Sequence, residues 1–367
     1  METEYWWKVR HSLYEYSAAI GMPQFTHLIF YHQGRKLPMF RIYHFMPVTL
    51  PLAAVILLLA APATLTAFPQ PSISISSGNT TGANYAASSA IAKIFNRKSA
   101  DYGIRIATVS SQGSVADVNS VVDGKTAFGI AQTVTLQHAT QGIGPWEGKK
   151  QGGLRAVISL HLETITIIAS ADRKIKQFSD LKGKRVNIGM PGSIDYEYSA
   201  SLFALSGVDP SEVTFSEHPV ALASEFLQKN EIDAYIYTVG HPNLSVLEVS
   251  SGKRKMLLIP LDKPLIEQIT TINPLLFPAD APTNFYPGLE YQGVVPTIGV
   301  RAVLFTRDDM AEETVYRLVK EIMTNFNLFR RQHPVLNDLT PREAGSVTVI
   351  PLHPGAARYF REAGLAS

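Results

Sequence analysis

The sequence predicts an α/β protein of two similar lobes, each a mostly parallel sheet flanked by helices, with two hinge strands joining them. Three observations carry that prediction. Past Pro71, short β-rich runs alternate with amphipathic stretches, the pattern of sheets covered by helices. The same succession of runs then occurs a second time. Two further runs, 156–169 and 297–306, are longer than an ordinary strand of about 5–6 residues.

The first half opens with a strand at 72–76 (Ser-Ile-Ser-Ile-Ser), followed by the loop Ser77-Gly78-Asn79-Thr80-Thr81-Gly82. A helix over 83–95 places Ile91, Ile94 and Phe95 on one face. Strand 104–109, a helix near 115–122, and strands 127–131 and 155–160 complete it. The second half repeats this layout: strand 185–189, the loop Met190-Pro191-Gly192-Ser193-Ile194, and a helix to about 206. Strand 213–216, helix 221–228, and strands 233–238 and 256–260 follow. Parallel βαβ units require right-handed crossovers and place helices on both sheet faces. With 156–169 and 297–306 as crossings, lobe I comprises 68–161 and 300–367, and lobe II comprises 162–299. Two backbone crossings form a hinge that permits closure on a ligand. The stretch 262–296 carries Pro264, Pro274, Pro278, Pro282, Pro287 and Pro296 and reads as loop with one short helix. The tail 311–332 reads as one amphipathic helix with Val315, Leu318, Val319 and Ile322 as its apolar stripe.

Ahead of the lobes, 48–61 is an uncharged apolar run. It is too short for a membrane span, which needs about 20 residues, and suits a signal-peptide core of about 7–15. Arg41 and His44 precede it, and small residues follow, with cleavage expected after Ala63 or Ala67. We read 39–67 as a signal peptide starting at Met39 or Met46, and 1–38 as a non-native extension. The expected destination is the periplasm, with a soluble chain after signal removal. The sequence has no cysteine, which excludes a disulfide scaffold and thiol chemistry. Its formal charge of +2 is too balanced for electrostatic nucleic-acid binding.

In doubly wound sheets, ligands sit outside the carboxyl ends of strands, near helix N-termini. The loops 77–82 and 190–193 have that placement. Their glycines let backbone N–H groups approach a ligand, their hydroxyls add hydrogen bonds, and the helix ends favour negative charge. A facing pair of such ends suits a small anion, most simply a carboxylate. Ordinary N-caps and turns use the same residues, so the duplication is what points to a site. Gln132 and Gly240-His241 each lie just past a strand end, and Glu163 lies at the first crossing. Tyr85, Tyr196 and Tyr198 either line a pocket or simply pack. The ten histidines show no metal-ligating spacing. No Walker A motif, dinucleotide fingerprint or Gly-x-Ser-x-Gly elbow is present. No cofactor is expected.

Several segments together resemble the solute receptors of the TAXI branch of TRAP transporters, across about 73–365. They are Thr81-Gly-Ala-Asn-Tyr85, Leu154-Arg-Ala-Val-Ile-Ser-Leu160 and Phe178-Ser-Asp-Leu-Lys-Gly-Lys-Arg-Val186. Gly189-Met-Pro-Gly-Ser193, Val295-Pro-Thr-Ile298 and Pro351-Leu-His-Pro-Gly-Ala-Ala-Arg-Tyr-Phe-Arg-Glu362 complete the set. The resemblance implies a type II periplasmic-binding-protein fold and a non-enzymatic receptor. Such a receptor closes on an organic anion or an amino acid such as glutamate. It then delivers the ligand to a membrane permease driven by an ion gradient. Carried over by position, the pocket uses Gly78, Asn79, Thr80, Thr81, Tyr85, Gln132, Gly192 and Ser193, with His241 at its rim. Glu163 and Tyr196 are added on their placement in the sequence. This chain departs from the family pattern at Asn79, Asn84, Ile194-Asp195 and Gln132-Thr133-Val134. An aspartate at a carboxylate-binding helix end is repulsive, so Asp195 either points away or pairs with a ligand amine. Two alternatives are a carboxylate-acting enzyme, with Glu163 or His241 as its acid or base, and a ligand-sensing partner of a membrane kinase.

Overall fold

The computed structural model describes residues 72–365 apart from 292, 347 and 348. The expected signal peptide and extension lie outside the described residues. Among those described, no helix is long and apolar enough to cross a membrane.

The chain opens with β1 (Ser72–Ser76), α1 (Ala83–Phe95), a short α2 (Ser99–Tyr102), β2 (Arg105–Val109), α3 (Ser114–Val122), β3 (Phe128–Gln132) and α4 (Thr133–Gln141). The long β4 (Leu154–Ser170) leads into β5 (Arg185–Asn187), α5 (Ile194–Leu205), β6 (Thr214–Ser216), α6 (Val220–Gln228), β7 (Ala234–Val239) and α7 (Leu244–Ser250). Then come β8 (Met256–Ile259), α8 (Lys263–Ile272), β9 (Leu276–Pro282) and a second long strand, β10 (Val294–Arg307). The chain ends with α9 (Glu312–Thr324), α10 (Phe326–Arg330), α11 (Pro341–Gly345) and α12 (Pro354–Glu362).

The duplication read from the sequence is visible in the strand order, β2-β1-β3-β10-β4-β7-β5-β6. The outer triplets, β2-β1-β3 and β6-β5-β7, are parallel within themselves. The two long strands between them are antiparallel to each other and to their neighbours. β10 pairs with β9 through residues 294–300 and with β3 through 302–306. β4 pairs with β10 over its first part and with β7 through 164–169. Each long strand therefore changes partners near its middle, around Glu163 and Val300.

Period-two side-chain alternation divides the apolar residues between the two faces. In β10, Ala302 and Leu304 join a cluster with Ile91, Phe95, Leu318 and Phe360, while Val303 and Phe305 join one with Val118, Val121 and Trp146. In β7, Ala234 and Ile236 face Leu202 and Ile266, and Tyr235 and Tyr237 face Val246 and Tyr286. Each half of the sheet is thus covered on both sides.

Two expectations need correction. The proline-rich stretch 262–296 holds a strand as well as a helix. Pro278 and Pro282 fit β9 because it is an edge strand, paired only with β10, where a missing N–H costs no second ladder. The tail is two helices, not one. The run breaks at Asn325 (φ −105°, ψ 27°), whose side-chain amide donates to the Glu321 carbonyl at 2.9 Å.

A buried carboxylate ties the start of β5 to β7. Asp233 accepts from the Arg185 backbone N–H (3.0 Å) and guanidinium (2.7 Å), and pairs with Arg173 at 2.9 Å. Burial pushes its pKa up, but the Arg185 hydrogen bonds and the Arg185 and Arg173 charges together outweigh it and hold the carboxyl below the ordinary aspartate value. Both arginines are about a third exposed, so solvent weakens the pairs. Asp233→Ala should therefore cost about 2 kcal/mol, mostly through the donors left unpaired. Urea unfolding checks this, and a loss below about 0.5 kcal/mol would contradict it.

Candidate functional site

A cavity of about 440 Å³ opens at the carboxyl ends of β1, β3 and β7, within the range of small-molecule sites. Five helices start at its wall. Gly82-Ala83 begins α1, Gly113-Ser114 begins α3, and Gln132 caps α4, while Ser193-Ile194 begins α5 and Pro219-Val220 begins α6. Four of these starts have no side-chain cap. At α5 the Ser193 hydroxyl accepts from the Tyr196 N–H. Uncapped first-turn N–H groups remain available as donors, and the helix dipoles add positive potential where they converge.

The first loop is zipped to the loop after β2. The Gly78 N–H donates to Ser111 Oγ at 2.8 Å, and the Ser111 N–H returns a bond to the Gly78 carbonyl at 2.7 Å. Gly78 takes φ +70°, a left-handed turn that a side chain resists. Beneath this loop, Asp117 is fully buried and accepts from Ser76 Oγ at 2.5 Å. Burial pushes its carboxyl up to about 7, against the opposing effects of Ser111, Ser76 and the Gly78 N–H.

At the floor, Glu163 is 4% exposed. Its carboxyl accepts from Asn84 Nδ2 at 2.7 Å and from Gln132 Nε2 at 2.5 Å, and His161 Nε2 lies 3.6 Å away. Tyr198 Oη donates to Gln132 Oε1 at 3.1 Å, so the network runs from α5 to α1 beneath the cavity. Asp195 also lines the cavity and accepts the Thr238 backbone N–H at 2.8 Å. Burial raises its carboxyl to about 7; the Thr238 bonds oppose this and the Glu163 charge adds to it.

Of the sequence-derived candidates, the cavity brings together Gly78, Asn79, Gln132, Glu163, Gly192 and Ser193. Thr80, Thr81, Tyr85, Tyr196 and His241 are not among its lining residues. Thr80 is exposed, and Tyr196 packs against the apolar cluster under α5. Thr81 joins the halves instead: its hydroxyl lies 3.0 Å from Ser245 Oγ, and its carbonyl accepts from Asn243 Nδ2 at 3.3 Å. Asn79 adds another link by donating to Tyr237 Oη at 3.2 Å.

His241 is buried with both ring nitrogens engaged. Nε2 lies 2.9 and 3.0 Å from the Thr164 and Thr166 hydroxyls, and Nδ1 lies 2.5 Å from Tyr286 Oη. Burial lowers its pKa to about 3, leaving a neutral ring with no nitrogen free for proton transfer.

Sequence reasoning missed three wall segments: Ser111-Gln112-Gly113-Ser114, the start of α6 at Pro219, and Tyr237-Thr238-Val239. The first carried a usable signal, since its Gly/Ser composition between a strand and a helix matches that of loop 77–82. Among the described residues, no group of three or more His, Asp or Glu side chains is placed to hold a metal ion.

The fold is that of the periplasmic binding proteins. It superposes on the periplasmic binding protein BugD with a TM-score of 0.50, at 12% identity over 82% of this chain and 99% of that one. A protein from Bordetella bronchiseptica RB50 (TM-score 0.48, 16% identity, 80% and 98% covered) and MatC from Rhodopseudomonas palustris with bound malate (0.48, 16%, 75% and 92%) also match. The chain belongs to the NMT1-like family, whose model matches residues 75–364.

Proposed function

We propose that this protein is an extracytoplasmic solute receptor for a small organic anion or acidic amino acid, without enzymatic activity. The observation that carries the reading is the convergence of five helix N-termini, four of them free of side-chain caps, on one cavity. That arrangement donates hydrogen bonds to an anion and moves no protons. On this reading β4 and β10 are the hinge between lobe I (68–161 and 300–367) and lobe II (162–299), and closure buries the ligand. Gly78, Asn79, Gln132, Glu163, Gly192 and Ser193 hold the ligand, while Thr81 and His241 support the junction around it. The segments shared with the TAXI receptors favour a TRAP permease as membrane partner and the periplasm as location.

A thermal-shift screen of organic acids and amino acids tests the reading. A ligand at a hundred times its dissociation constant should add about 2.7 kcal/mol of stability. A screen without a responder overturns it.

A further inference from the structure

We propose that the ligand carries a protonated amine seated between Glu163 and Asp195, so that the cavity selects amino acids over carboxylates of the same skeleton that lack the amine. This rests on the receptor reading above and narrows its ligand class.

The cavity is chemically lopsided. The helix starts supply backbone donors, yet the two charged residues in its lining are both acids, with no Lys, Arg or His among the described lining residues. Glu163 takes one N–H from Asn84 and one from Gln132, and His161 Nε2, outside the cavity lining, stands 3.6 Å from it. A carboxylate has about four acceptor positions, so its capacity is only partly used. Asn84, which also lines the cavity, has its own Oδ1 buried without a hydrogen-bond partner. Asp195 is 9% exposed and receives the Thr238 N–H at 2.8 Å. An ammonium has three donors and no acceptor, which complements this set of surplus acceptors.

Electrostatics points the same way. The Glu163 charge reaches Asp195, helping to raise its carboxyl. A ligand carboxylate at this end adds further negative charge to a desolvated pair, while an ammonium compensates it. The ligand's carboxylate is then left to the helix starts. A cation beside Asp195 also draws its proton off, so amine binding near neutral pH releases protons.

Isothermal titration of the purified protein with the twenty standard L-amino acids and with glutarate, succinate and malate tests this. Each amino acid that binds is then compared with its 2-hydroxy analogue. We expect an amino acid to bind and its analogue to bind about 30-fold more weakly or worse, the scale of removing one partner from a buried charge pair. Titrations in buffers of different ionisation heat should show proton release. Glu163→Gln should weaken the amino acid by a larger factor than it weakens the analogue. An analogue that binds as tightly as its amino acid overturns the inference. So does binding of dicarboxylates without any amino acid, and in both cases the receptor reading stands. Failure of every compound overturns both. If Glu163→Gln does not fold, the analogue comparison decides alone.

Discussion

Gly240→Val is expected to lower stability by about 3 kcal/mol, at the upper end for an overpacked site, and to weaken ligand binding at least about tenfold. Gly240 follows β7, where the second half of the molecule meets the first. A Cβ there would lie 2.7 Å from Ala83 Cβ, 2.8 Å from His161 Cδ2 and 2.9 Å from Val335 Cγ2. All three approaches are closer than a real Cβ contact, and valine adds two methyl groups beyond it. Ala83 opens α1, whose N-terminus forms part of the cavity wall. Relief of the clash therefore shifts a helix start at the cavity wall, which on the proposed reading supplies donors to the ligand. Urea unfolding measures the first effect and titration of the ligand from the screen measures the second. A variant as stable and as tight-binding as the parent would show that the halves do not meet at this point.

The second large effect is a dependence on pH through Asp195. Its carboxyl is raised from 3.8 to about 7 in the folded protein, so the native state holds the proton more tightly than the unfolded chain does. Its stabilising contribution is therefore fully present below about 3.8 and is lost as pH rises to about 7. At roughly 1.4 kcal/mol per pH unit across that interval, the loss is on the order of 4 kcal/mol. Asp117, raised to about 7 by burial, has the same sign. His241 has the opposite one: its pKa is lowered to about 3, so it favours the folded state as pH rises towards the ordinary histidine value of 6.5. The comparison that isolates Asp195 is the difference between the parent and Asp195→Asn, whose amide oxygen still accepts the Thr238 N–H. Between about pH 4 and pH 8 the variant should gain on the parent by roughly 4 kcal/mol. A flat difference curve would mean that Asp195 titrates normally.

Asp195 also shows where sequence reading stopped. Its position in the first turn of α5 was legible, and so was the conflict between its charge and an anion bound there. Which side chain or backbone group it faces was not, because its partner, the Thr238 N–H, lies on a different strand. Thr81 and His241 are similar cases. Each sits at a strand-end loop, where ligands bind in this type of sheet, yet each is committed to contacts with the opposite half or with β4. A loop's place in the chain says that it is near the cleft. It does not say whether a given side chain points into the cleft or across the junction.

The duplicated βαβ pattern, the two long strands and the Gly/Ser loops at strand ends were all written in local periodicity and composition, and the architecture follows from them. Local signals also single out two of the helix starts at the cavity wall, those of α1 and α5, but not those of α3, α4 and α6. They do not register what comes together from distant parts of the chain: Glu163 with Asn84 and Gln132, Tyr198 with Gln132, or Gly240 with Ala83 and Val335. Hydrogen bonds and close packing between distant residues depend on how strands are ordered and helices laid over them, so only the assembled tertiary structure decided which polar groups line the cavity and which hold the two halves together.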